Sequence, residues 1–81
     1  MLNASQIRAA RALLNWSQGK LVEMTGLSLT TIRRMEDDTI GPERSAAGNV
    51  STVTKALEEA GITFLGEGED KLGGPGARFA K

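Results

Sequence analysis

The chain of 81 residues has no cysteine and no histidine. Disulfides, zinc sites of the Cys/His kind and catalysis by cysteine or histidine are thereby excluded. No metal and no cofactor are expected. No apolar run approaches the roughly 18 residues of a membrane span, so no membrane association is expected. The opening residues Met1-Leu2-Asn3-Ala4-Ser5-Gln6 offer neither a charged n-region nor an apolar h-region. No secretion signal is expected, and a cytoplasmic location is the default.

Net charge is also lacking, since ten Lys and Arg balance ten Asp and Glu. The distribution is uneven. Residues 1–34 set Arg8, Arg11, Lys20, Arg33 and Arg34 against Glu23 alone, whereas residues 35–70 set Arg44 and Lys55 against nine acids. The last eleven residues add Lys71, Arg78 and Lys81 with no acid. A dipolar domain of this kind can offer one basic face to phosphates while its acidic face stays in water. The weak overall charge predicts modest non-specific binding and a need for dimerisation. At this length the chain is one domain with a small core.

What is present is a dense stretch from Gln18 to Glu36. Leu21 and Val22 form one inward stripe, and Ile32 and Met35, three apart, form another. Gly26 lies between them, where a chain leaves a helix through a left-handed residue. Ser28 is placed to cap the next helix. The reading is two short helices, 18–25 and 29–36, joined by a turn of about three residues, the length that sets helices at a steep angle.

Around this pair the sequence predicts a first helix over residues 5–14, capped by Asn3 or Ser5, with Ile7, Ala10 and Leu14 inward and Leu13 beside them. Ser17 can cap the second helix. Trp16, the only tryptophan, is expected to fill the core between helices; stacking on a base is the alternative. Residues 37–49 read as a loop, broken at Gly41-Pro42 and anchored by Ile40. A fourth helix is expected over 50–60, capped by Asn49 or Ser51, with Val50, Val53 and Leu57 buried, Ala60 a further candidate for that stripe, and Gly61 ending it. Ile62–Leu65 and Ala77–Ala80 read as an antiparallel strand pair joined by a glycine-rich charged segment. Such a ribbon is marginal alone and needs the helical core or a second chain. The fold class is mainly α: a four-helix domain with a short C-terminal β-ribbon.

Gln18 opening a helix, Leu21-Val22 within it, Gly26 at the turn, Ile32 and Met35 beyond it and Glu36 closing the second helix together resemble the phage repressor and Cro-like, or Xre-type, helix-turn-helix family over about residues 5–60. The resemblance implies a bacterial or phage transcriptional regulator. Residues 1–61 would be the DNA-binding domain; residues 62–81 lie beyond the resemblance and are read, from the marginal strand pair, as a tail that meets its copy across a two-fold axis. The resemblance further implies that Ser28, Leu29, Thr30 and Arg34 face base edges in the major groove. Arg34 would suit the two-pronged contact to guanine, and Leu29 with the Thr30 methyl would suit thymine. Gln18, Lys20, Arg33, Arg44 and Ser45 would meet phosphates, and Arg11 and Glu36 would form a structural ion pair. The partner is then double-stranded DNA, bound as a homodimer with half-sites roughly 34 Å apart; the marginal ribbon makes the C-terminal segment the expected junction of the two copies. Occupying a promoter is sufficient for repression.

A second reading is a protein-binding module, such as an antitoxin that neutralises a partner protein and represses its own promoter; an acidic middle and an unstructured tail would serve it. An enzyme is not expected, because Gly66-Glu67-Gly68-Glu69 lacks the strand–turn–helix setting of a phosphate-cradling loop.

Overall fold

In a computed structural model, described over residues 2–65 and 76–79, the chain forms a small, mainly helical domain. Four helices come first, α1 (Ala4–Leu14), α2 (Gln18–Thr25), α3 (Leu29–Met35) and α4 (Ala47–Glu59), with a 3-10 turn at Pro42–Arg44 between the last two. A two-stranded antiparallel sheet, β1 (Ile62–Leu65) and β2 (Gly76–Phe79), follows. Residues 66–75 and Ala80, which were expected to supply the link and the last strand residue, lie outside the described residues.

Capping chemistry fixes the helix starts. Asn3 caps α1 and shares a reciprocal capping box with Gln6: its side chain accepts from the Gln6 N–H at 2.9 Å, and the Gln6 side chain accepts from the Asn3 N–H at 2.9 Å. Ser17 accepts from the Lys20 N–H at 3.0 Å and Ser28 from the Thr31 N–H at 3.1 Å. Each satisfies an N–H that the helix itself cannot bond. The turn between α2 and α3 depends on Gly26, whose φ of 74° closes α2; a Cβ would be strained in that conformation.

The core joins every layer. Ile7 and Ala10 of α1, Leu21 of α2, Ile32 and Met35 of α3, Val53 and Leu57 of α4 and Ile62 of β1 are all buried in one cluster. Burial of each larger side chain contributes about 1.5–3 kcal/mol. Leu14, Trp16, Val22, Leu27 and Val50 are partly buried against it, so Trp16 takes the packing role expected of it. The ribbon lies on the helices, β1 against α4 and β2 against α1. Phe64 and Ala77, register partners, pack on the core, while Thr63 pairs with Arg78 in the alternate register. The domain's own helices therefore support the strand pair.

Several expectations need correction. The fourth helix starts three residues early, at Ala47, and neither Asn49 nor Ser51 caps it; Ala46 is the N-cap and gives no side-chain bond. The cause lies upstream. Pro42, with its preset φ, starts a 3-10 turn inside the expected loop, closed by the Ser45 N–H donating to the Pro42 carbonyl at 2.9 Å. Ala46 then already accepts from the Asn49 and Val50 N–H groups. The third helix ends at Met35 with Glu36 as its cap, and the second strand runs one residue earlier than expected, beginning at Gly76. Leu13 is 39% exposed rather than packed beside the inward stripe. Ile40 is half-buried outside the core cluster and does not anchor the loop there.

Candidate nucleic-acid interface

Two groups of polar side chains flank the α2–α3 pair, one inside and one outside. The inner group centres on Glu36, whose backbone closes α3 and which is 5% exposed. Arg11 of α1 meets its carboxylate with two parallel bonds, Nε to Oε2 and Nη2 to Oε1, both 2.7 Å. This fork-on-carboxylate geometry is the strong form of the pair. The remaining Arg11 nitrogen, Nη1, donates to the Trp16 carbonyl at 3.0 Å. Gln18 Nε2 donates to Glu36 Oε1 at 3.1 Å. Arg8 donates to the Glu36 carbonyl and grips Asp38 with two bonds of 3.1 and 3.2 Å. The network ties α1, the start of α2 and the end of α3 into one frame. No described buried side-chain nitrogen or oxygen lacks a hydrogen-bond partner.

The ion pair expected of Arg11 and Glu36 is thus present. Gln18 departs from its expected role: its side chain is half-buried and turned to Glu36, because a buried carboxylate with two oxygens has capacity for more than the one guanidinium. Arg8 and Arg11, counted in the basic half of the sequence, are both committed to acidic partners. Lys20 also has one, Glu23 at 3.6 Å one turn along.

The outer group differs. Ser28, Leu29, Thr30, Arg33 and Arg34 are all exposed on α3. Arg33, Arg34 and Arg44 make no ion pair with any described residue. Arg34 and Arg44 share an open groove of about 500 Å³ with Thr31, Ile40, Ser45 and Asn49. It runs from the outer side of α3 across the 3-10 turn to the first turn of α4. Arg33 and Leu29 lie on α3 away from that groove, and Leu29 is 39% exposed. Ser28 holds the N-cap, and its hydroxyl also bonds the Thr31 hydroxyl at 2.9 Å, which leaves it less capacity for another partner.

Thr31, Ile40 and Asn49 were not among the DNA-contacting residues that the resemblance implies; Ile40 was read as a loop anchor and Asn49 as a helix cap. Thr31 carries a readable signal, because it lies three residues from both Ser28 and Arg34 and so shares their helix face. Asn49 carries none while the fourth helix is taken to start at residue 50. Ile40 looked like a core residue by composition alone.

Chemically, the face presents two cations on different elements, the hydroxyl and amide groups of Thr31, Ser45 and Asn49, and one half-buried apolar side chain, Ile40. It suits an anionic surface with hydrogen-bonding edges. Among the described residues no group of three or more His, Cys, Asp or Glu could hold a metal ion, and no helix is long and apolar enough to cross a membrane. Set against models of protein families, curated proteins and solved structures, the chain matches none.

Proposed function

We propose that the chain is a sequence-specific DNA-binding regulator of the helix-turn-helix kind, acting as a repressor in the cytoplasm of a bacterium or its phage and binding a two-fold operator as a homodimer. The observation that carries this reading is the sorting of the arginines. Arg11 on α1 is bonded to the buried Glu36 carboxylate and Arg8 to the Glu36 carbonyl and Asp38, while Arg34 and Arg44, along the outer groove, have no ion-pair partner among the described residues. In this reading the start of α3 enters the major groove, where Arg34 reads a base edge with Thr30 and Thr31 beside it. Arg33, Arg44, Ser45 and Lys20 meet phosphates, and Asn49 joins them. At Gln18 the backbone N–H takes the phosphate role, as its side chain holds Glu36. Leu29 and Ser28 complete the edge of the reading surface. The reading needs no catalysis.

The test is binding of the full chain to its own promoter region, with and without specific competitor, across salt concentrations. Arg34→Ala is expected to lose preference between sequences, by about 1–3 kcal/mol at one base pair. Arg44→Ala is expected to weaken all duplexes alike and reduce the salt slope by about one. Equal behaviour of the two variants would overturn the assignment of the reading face. Absence of any salt-dependent binding by the parent would overturn the function.

A further inference from the structure

We infer that α4, together with the last turn of α2, is the surface on which a second copy of this chain docks. The inference rests on the reading above, in which two copies share one operator. A groove of about 470 Å³ runs between these helices, lined by Met24 of α2, by Thr52, Lys55, Ala56 and Glu59 of α4 and by Ala60, which caps its end. Met24 stands at its edge, 47% exposed, the most exposed large apolar side chain among the described residues. The α4 residues fall on one helical stripe next to the core stripe of Val53 and Leu57.

Charge makes the face self-complementary. Lys55 and Glu59 lie four apart on the stripe yet form no ion pair with each other or with any described residue. With the lysine N-terminal to the glutamate, the pair has the poorer orientation for an intrahelical bridge. In an antiparallel crossing of two α4 helices whose two-fold lies midway between Lys55 and Glu59, beside Ala56, Lys55 of each copy lies opposite Glu59 of the other, and the two-fold repeats the contact. Thr52, Ala56 and Ala60 are small enough for two helix axes to approach closely, and Met24 of each copy fills the groove beside the crossing. The ribbon is the weaker candidate, because Ile62, Phe64 and Ala77 already pack on the chain's own core.

The absence of cysteine gives a clean test. Ala56→Cys lies near the proposed axis, within the short Cα separation that a disulfide requires, and Arg78→Cys marks the exposed register of the ribbon. Under mild oxidation of the full chain without DNA, Ala56→Cys is expected to form a covalent dimer and Arg78→Cys is not. Cross-linking through Arg78→Cys alone, or through both equally, would overturn the inference. In sedimentation equilibrium, Lys55→Glu is expected to weaken dimerisation about tenfold, since two symmetric contacts become like-charged. The double variant Lys55→Glu/Glu59→Lys is expected to restore it. A monomeric parent, or a single variant as dimeric as the parent, would overturn the inference. Because both measurements omit DNA, a dimer that binds no duplex would sink the regulatory reading and leave the interface standing.

Discussion

Arg11 of α1 and Arg34 of α3 are chemically the same residue, and their surroundings give them opposite tasks. Arg11 meets a carboxylate in two bonds and a carbonyl in a third, with its side chain only 19% exposed. Arg34 is exposed on α3 and has no charged partner among the described residues. The inner guanidinium has already lost most of its water, and removing its partner would strand a buried charge. The outer one keeps its water until a ligand displaces it. A basic half counted along the sequence therefore overstates the charge available to a ligand, because α1 contributes none of its own that is unpaired.

The comparison breaks most severely at Glu36. Glu36→Ala leaves Arg11 buried without its carboxylate and frees Gln18, and is expected to lose about 3–5 kcal/mol in chemical denaturation. That is a large part of the roughly 5–15 kcal/mol of an ordinary domain. Arg34→Ala, by contrast, is expected to change stability by less than about 0.5 kcal/mol. If both substitutions had similar effects on the denaturation midpoint, the division into an inner and an outer set would fail. Between these extremes lies Ser28→Ala. It removes the acceptor for the Thr31 N–H and is expected to cost about 1 kcal/mol. Calorimetry on these three variants orders the sites, and an Ser28→Ala melt identical to the parent would mean that the α3 start is held by something other than its cap.

The frame was legible in the sequence wherever one residue type has few alternatives. Gly26 with a positive φ, Ser17 and Ser28 as N-caps, and the α2 boundaries all follow from local stereochemistry. So did Ile62–Leu65 as a strand, with Gly61 at φ 106° ending the helix before it. The outer groove was legible only in part. Arg34, Arg44 and Ser45 entered through the family resemblance, but Asn49 joins them only because α4 begins at an alanine with no side-chain cap. A helix start with no capping residue leaves no trace in a sequence. The commitment of Gln18 and Arg8 to Glu36 was equally hidden, because bonds across 18 and 28 positions depend on how the helices meet.

The smallest expected effect lies where the inner set borders the outer, at Asp37. Its exposed carboxylate accepts from the Thr39 hydroxyl at 2.6 Å and from the Thr39 N–H at 2.8 Å. These two bonds, the hydroxyl first, hold its pKa below the ordinary 3.8, with the Arg8 charge acting in the same direction and slight desolvation against it. A folded pKa below the unfolded one means that the folded chain prefers the ionised form. The stabilisation is therefore complete above about pH 4 and is lost as pH falls through the depressed value. Neutral pH should leave the turn unchanged. The Asp37 carbonyl also accepts from the Ile40 and Gly41 N–H groups, so this turn sets the path of the chain into the 3-10 segment that carries Arg44. In an NMR titration, Thr39→Val is expected to return Asp37 toward its ordinary value while the Arg11–Glu36 signals stay in place, since Glu36 takes no bond from Thr39. A Thr39→Val protein in which Asp37 titrates as in the parent would show that the hydroxyl does not hold the carboxylate. Movement of the Glu36 signals would show that the turn and the inner frame are one unit rather than two.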